Sequence, residues 1–147
     1  MLKNPPEGMH RITPYIFYNN VEKAVDWLEA AFGLERTMVM PGPDGTVVHA
    51  EMKLQDGGIM IGLASEQQGS KSPQDTTGVT QRLYVYVDDL DAHIQHAKSA
   101  GATITTEITE MFWGDKMYTA NDLEGQHWSF AQHVKDIAPE DMKPDFF

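Results

Sequence analysis

One half-length pattern occurs twice in this chain, and that repetition limits the folds open to it more than any composition does. The stretch YIFYNNVEKAVDWLEAAFG, from Tyr15 to Gly33, is answered by LYVYVDDLDAHIQHAKSAG, from Leu83 to Gly101. The first copy closes on DGGIMIG and the second on EGQHWSF. Asn20 stands 69 positions before Asp89 and Gly57 stands 68 before Gly125, so a single deletion near the end of the first helix keeps both copies in register. Few residues are identical between the copies; what repeats is the order of apolar, polar and turn positions. A unit repeated in this way leaves a cleft where the copies meet, and concave sites concentrate at such seams.

Each copy reads as strand, helix and three further strands. Ile12 to Tyr18 is dense in β-branched and aromatic residues and predicts a buried strand. Val21, Ala24, Val25, Leu28 and Phe32 then make one apolar stripe at helical spacing. Asn19 is the expected N-cap with Glu22 three residues on, and Gly33 the left-handed stop. Extended segments follow at Leu34 to Met40, Thr46 to Leu54 and Ile59 to Leu63, with turns at Gly42–Gly45 and Asp56-Gly57. The second copy repeats this with Asp88 and Asp91 at the helix start, Gly101 at its end, and strands at Thr103 to Thr109, Lys116 to Ala120 and His127 to Gln132. Asp88, Asp89 and Asp91 suit capping and the helix dipole better than a metal. Module one thus covers about residues 11–64 and module two about 79–133. Between them SEQQGSKSPQDTTG (65–78) is almost free of apolar residues and is expected to be a flexible linker or a mobile lid. In the tail, 134–147, Pro139 is placed to open a short helical turn and the two final phenylalanines to pack on a partner subunit.

With 147 residues, 41 % of them hydrophobic, the chain suffices for one domain or for two small modules sharing a core. Its formal charge of -11 would repel nucleic acid. Having no cysteine, it offers neither disulfides nor thiolate ligands or nucleophiles, which leaves histidine and carboxylate for any metal. The opening MLKNPPEGMH lacks the apolar stretch of a secretory leader, and no apolar run is long enough to span a bilayer. The expected location is the cytoplasm, with no membrane partner.

Four pieces, ITPYIFYNNVEKAVDWLEAAFG, HAEMKLQDGGIMIG, VYVDDLDAHIQHAKSAGA and WGDK…DLEGQHWSF, together resemble the vicinal oxygen chelate superfamily of glyoxalases, bleomycin-resistance proteins and extradiol dioxygenases. The likeness covers about Arg11 to His133 and falls closest to a glyoxalase-like branch of mostly unassigned chemistry. It implies an α+β fold in which two tandem βαβββ modules form a curved mixed sheet around a cup, usually in a homodimer. Metal-dependent members of the superfamily bring four ligands from four strands, and those motif positions align here with Thr13, Glu51, Arg82 and Ser129. Only Glu51 is a plausible ligand, because a permanently cationic guanidinium cannot coordinate an ion and raises the electrostatic cost of holding one nearby. No cofactor is therefore expected. The alternative is a divalent ion (zinc, nickel, manganese or iron) on His49 and Glu51, two apart on one strand face, with His127.

Strand alternation selects the remaining cup residues. Val48, Ala50, Met52 and Leu54 should lie under a helix, leaving Val47, His49, Glu51 and Lys53 on the open side. Ile12, Pro14 and Ile16 should pack, leaving Thr13, Tyr15 and Phe17 open; Leu83, Val85 and Val87 should pack, leaving Arg82, Tyr84 and Tyr86 open. Trp128 and Phe130 should pack down, leaving His127, Ser129 and Ala131 facing the cup, which Met117 also lines. Glu51 and Arg82 are expected either to pair at its floor or to stay solvated, and are the tentative catalytic pair. Trp113 suits stacking on a flat ligand or closing a sheet edge equally well. His93 and His96 are expected to be packing or surface residues, and His10 and His133 have no role. The favoured function is metal-independent binding of a small aromatic or polar molecule. The alternatives are a metal-dependent lyase, isomerase or dioxygenase, or a structural subunit of an assembly.

Overall fold

Alternation in β1, Tyr15–Tyr18, turns Ile16 and Tyr18 into the core, 2 % and 0 % exposed, beneath the helix that follows. This computed structural model describes residues 1–144, so the terminal phenylalanines at 146 and 147 lie outside the described residues. Helix α1, Val21–Phe32, buries Val21, Ala24, Val25, Leu28, Ala31 and Phe32, the stripe its periodicity predicts. Its N-cap is Asn20 rather than Asn19: Asn20 takes an extended backbone and its Oδ1 accepts from the Lys23 N–H at 3.0 Å. The Asn19 amide is drawn the other way, donating to Gln74 and Asp75 at 3.0 and 2.9 Å. Gly33 ends the helix at φ +76, as expected.

Strands β2 (Glu35–Pro41), β3 (Val47–Leu54) and β4 (Gly57–Leu63) complete a four-stranded sheet in the order β1-β4-β3-β2. β1 runs parallel to β4 and the other pairs are antiparallel. The register sorts the two faces: Ile16, Ile61 and Ala50 form one row under α1, all buried, while Phe17, Gly62 and His49 form the next row on the helix-free face. Two expectations on packing fail. Ile12 is 89 % exposed, because the chain joins the sheet only where Met60 N–H donates to Pro14 O, two residues later. Val47, expected on the open side, is 9 % exposed and counts among the core, next to the register shift between Met40 and Pro41 on the neighbouring strand.

Residues 65–78 are not a bare linker. They make short 3₁₀ turns at Glu66–Gln68 and Pro73–Asp75, bury Ser72 completely, and are clamped by Asn19; the polar composition that suggested a lid is spent on these local bonds. Through Thr77 this strap belongs to the first of two compact units, and Gly78 begins the second.

The second unit repeats the first. β5 (Leu83–Tyr86), α2 (Leu90–Ser99), β6 (Thr103–Glu110), β7 (Asp115–Asn121) and β8 (His127–His133) give the sheet order β5-β8-β7-β6, and the helix cap is Asp89, not Asp88, through its bond from Ala92 N–H. Tyr15 pairs with Met60 and Tyr84 with Ser129, so the duplication holds at the level of single backbone pairings. The fold is therefore α+β with two βαβββ modules, each carrying its own mixed sheet. Trp128, Phe130, Tyr118 and Leu90 fill the second core, each contributing roughly 1.5–3 kcal/mol by burial. Asp122 anchors it, accepting from Trp128 Nε1 at 3.0 Å and from the Glu124 and Gln126 N–H groups. His93 is a packing residue, bonded to Tyr118 Oη at 2.6 Å with its ring 4.3 Å from Phe130. Pro139 opens a 3₁₀ turn, as its position suggests. Among the described residues no helix is long and apolar enough to cross a membrane.

Candidate functional site

On the helix-free face of the first module three side chains form a chain of hydrogen bonds. Tyr15 Oη lies 2.7 Å from His49 Nδ1, and His49 Nε2 lies 2.9 Å from Glu51 Oε2. A carboxylate only accepts, so Nε2 carries a proton, and in that neutral tautomer Nδ1 accepts from the phenol. The His49 and Glu51 side chains are each 17 % exposed, whereas Tyr15 is 41 % exposed. The Tyr15 ring stacks on Phe17 at 5.0 Å and 11°, and the absence of a side chain at Gly62 makes room for both. A Cβ there would sit 2.6 Å from Tyr15 Cε1 and 3.1 Å from the Phe17 ring. Near this face a cavity of about 610 Å³ opens between the Glu7–His10 segment and the β3–β4 hairpin; Thr13, Met38 and Glu51 line it, and so does His10.

The second module uses the equivalent tyrosine differently. Tyr84 and Tyr86 both donate to Asp115 Oδ2, at 2.7 and 2.8 Å, and Trp113 Nε1 reaches the same oxygen at 3.1 Å and Tyr84 Oη at 3.0 Å. His133 Nδ1 meets Asp115 Oδ1 at 2.8 Å and its Nε2 meets Asp136 at 2.7 Å. Burial of Asp115, 1 % exposed, pushes its carboxyl up, but the bonds from Tyr84, His133, Tyr86 and Trp113 together outweigh that and hold it below the usual value. Asp136 first and Asp115 second raise His133, whose two ring nitrogens each face a carboxylate. Burial, then the bond to Asp115, pushes Tyr84 up; for Tyr86 the bond comes first and burial second. The phenols are thereby fixed as donors, with their rings still 42 % and 58 % exposed.

The sequence placed Tyr84, Tyr86 and Met117 on this face and left Trp113 between stacking on a ligand and closing a sheet edge, but missed Asp115 and His133, which organise it. Alternation held the signal, since Asp115 precedes Met117 by two on β7. Trp113 is held by Tyr84 and Asp115 at the start of β7. Elsewhere in the unit a hollow of about 250 Å³ brings Arg82 and His127 together with Thr105, Thr106, Thr119 and Asn121. Within its own unit Arg82 has no acidic partner among the described residues. Ser129 and Ala131, expected to face the cup, are 1 % and 0 % exposed, and the Ser129 Oγ has no hydrogen-bond partner among the described residues.

The donors at the four superfamily metal positions do not fit a divalent ion. Thr13 and Ser129 are neutral hydroxyls, Arg82 is a cation, and the Glu51 carboxylate is bonded to His49. Of the alternative set, both ring nitrogens of His49 are already engaged, by Tyr15 and Glu51. Within neither unit do three His, Asp or Glu side chains converge to hold an ion, among the described residues.

Fold, register and paired sheets of this kind define a class, and the profile of the Glyoxalase/Bleomycin resistance protein/Dioxygenase superfamily matches residues 8–130: the chain belongs to that superfamily. An uncharacterized protein of Mycobacterium bovis, Mb0911c, is 30 % identical over 135 residues, covering 90 % of this chain and 89 % of its own. Among solved structures TioX from Micromonospora sp. ML1 is 29 % identical with a TM-score of 0.69, covering 86 % of this chain and all of that one. A glyoxalase/bleomycin resistance protein/dioxygenase family enzyme from Burkholderia phytofirmans is similar in fold, with a TM-score of 0.65 at 17 % identity, covering 82 % of this chain and 95 % of that one.

Proposed function

We propose that this protein binds a small, flat organic molecule on the helix-free faces of its modules, without a metal ion. The observation that carries the reading is the repeated aromatic pair. Tyr15 and Phe17 in one module and Tyr84 and Tyr86 in the other occupy equivalent strand positions, and each pair has at least one ring well exposed. Rings held in place by hydroxyl bonds stack on a ligand at little entropic cost, and their negative faces suit a delocalised cation as well as a neutral aromatic. Arg82, exposed and without an acidic partner in its own unit among the described residues, offers a fixed cation for an anionic substituent. A homodimer in the cytoplasm is the working assembly in this reading.

The test is a thermal-shift screen against flat heteroaromatics of each charge type, with and without a chelator. A ligand present at about 100 times its Kd stabilises by about 2.7 kcal/mol, which at this chain length raises Tm by roughly 5–10 °C. A rise that persists in chelator supports the reading. No rise and no change in tryptophan emission across the panel, or a rise abolished by chelator, refutes it.

A further inference from the structure

We propose that Tyr15, His49 and Glu51 form a metal-free proton relay that removes a proton from a conjugated carbon acid seated against the Tyr15 and Phe17 rings. The inference rests on the binding reading above for where the substrate lies, and adds a reaction to it.

The geometry has a direction. Glu51 accepts from His49 Nε2–H at 2.9 Å, which fixes the tautomer and leaves the Nδ1 lone pair 2.7 Å from the Tyr15 hydroxyl. His49 and Glu51 are largely shielded and Tyr15 is 41 % exposed, so the phenol is the member of the chain offered to a substrate lying on the two rings, while Glu51 borders the neighbouring cavity. The neighbouring cation on β3, Lys53, lies 3.6 Å from Glu35. Glu51 is thereby free to balance a charge that appears on His49. Gly62 seats the Tyr15 and Phe17 rings together, which puts a stacking surface beside the reactive oxygen.

The duplication supplies an internal contrast. At the equivalent position Tyr84 donates straight to the Asp115 carboxylate, an arrangement that holds the phenol in its protonated form. Tyr15 instead faces an imidazole nitrogen, which in the Nε2–H tautomer can take its proton. The same backbone position is thus a fixed donor in one module and the end of a relay in the other.

In the step itself the substrate C–H proton passes to Tyr15 Oη as the Tyr15 proton passes to His49 Nδ1. The imidazolium so formed is held by the Glu51 carboxylate through Nε2–H, and the electron pair of the broken C–H bond enters the substrate's conjugated system. Return of the proton to another carbon gives an isomerisation. Departure of a leaving group with the electron pair gives an elimination, after which His49 gives its extra proton to water through Tyr15.

5-Nitrobenzisoxazole tests this on the intact chain. Loss of its ring C–H proton breaks the N–O bond and releases a coloured cyanonitrophenolate, while the unreactive 5-nitrobenzotriazole reports binding alone. The wild type should turn the probe over faster than an equal concentration of free imidazole. Tyr15→Phe and His49→Gln should each lower kcat about a hundredfold or more with a far smaller change in KM, and Glu51→Gln should lower kcat about tenfold, the loss typical of a missing acid–base group or of its orienting partner. Glu51→Gln should bind the benzotriazole as the wild type does, Tyr15→Phe and His49→Gln somewhat more weakly because the Tyr15 ring loses its hydroxyl bond, and all three should keep the far-ultraviolet circular dichroism of the wild type. Turnover surviving in Tyr15→Phe or His49→Gln, or wild-type turnover no faster than imidazole while the benzotriazole binds, overturns the relay. Absence of benzotriazole binding by the wild type counts against the binding reading instead. The relay is then decided by the His49 tautomer in a long-range ¹H–¹⁵N spectrum: Nε2–H sustains it and Nδ1–H overturns it.

Discussion

Gly114 is where a single added methyl group should do the most damage per atom. It sits at φ +101, and its carbonyl accepts from both Val134 N–H and Lys135 N–H, at 2.9 and 3.0 Å. A Cβ built there would lie 1.9 Å from the Lys135 carbonyl oxygen, more than 1 Å inside the 3.0 Å limit that real Cβ contacts respect, and 3.3 Å from His133 Cε1. The obstacle is backbone, so Gly114→Ala must push the chain after β8 away and strain or break the two bonds. The left-handed conformation costs an alanine roughly 1–2 kcal/mol, and losing two backbone hydrogen bonds adds about 1 kcal/mol each. The sum, about 3–4 kcal/mol, corresponds to a fall in Tm of roughly 6–16 °C for a chain this long. Gly101, at φ +92 with nothing within 4 Å of its Cβ position, isolates the conformational part: Gly101→Ala should lose only about 1–2 kcal/mol. Thermal unfolding followed by circular dichroism measures both, and Trp113 emission should change in Gly114→Ala alone, since Asp115 and His133 move with the displaced chain. If Gly114→Ala melts no lower than Gly101→Ala, the close approach of the two backbones is not what the site requires.

Four further outcomes follow from the same geometry. Gly62→Ala should unseat the Tyr15 and Phe17 rings and lower probe turnover in the benzisoxazole assay at least tenfold with little change in Tm; unchanged turnover would show that the rings need no such seat. Raised in the fold above its ordinary 6.5, His133 contributes stability that is complete below that pH and fades as pH climbs through the folded value. The Tm gap between wild type and His133→Gln should accordingly be widest near pH 5.5 and narrow toward pH 8.5, and a gap that widens with pH contradicts the paired-carboxylate account. Asp122→Ala strands the Trp128 Nε1–H in a buried setting and should cost about 2–4 kcal/mol in urea unfolding. Ser129→Ala should leave stability in urea unfolding unchanged or raise it by up to about 1 kcal/mol, because the buried hydroxyl has no partner among the described residues.

The amino-acid sequence by itself determined the duplicated βαβββ order, the α1 stripe, Gly33 as a helix stop, and the open-face placement of Tyr15, His49, Glu51, Tyr84 and Tyr86. These follow from periods of 3.6 and 2, which are local properties of the chain. The cap was misplaced by one residue: the sequence points to Asn19, but tertiary contacts with Gln74 and Asp75 draw its amide away and Asn20 caps instead. Ile12 looked like strand because composition does not say where pairing with β4 begins. Tertiary structure alone decided that Asp115 collects four donors and that His133 bridges two carboxylates, since His133 and Tyr84 reach Asp115 from different strands. It alone decided the order Tyr15–His49–Glu51 as well. Alternation puts the three on one face, but which atoms meet depends on the β1–β4–β3 register and on the room left at Gly62, and both are set by packing between strands far apart in sequence.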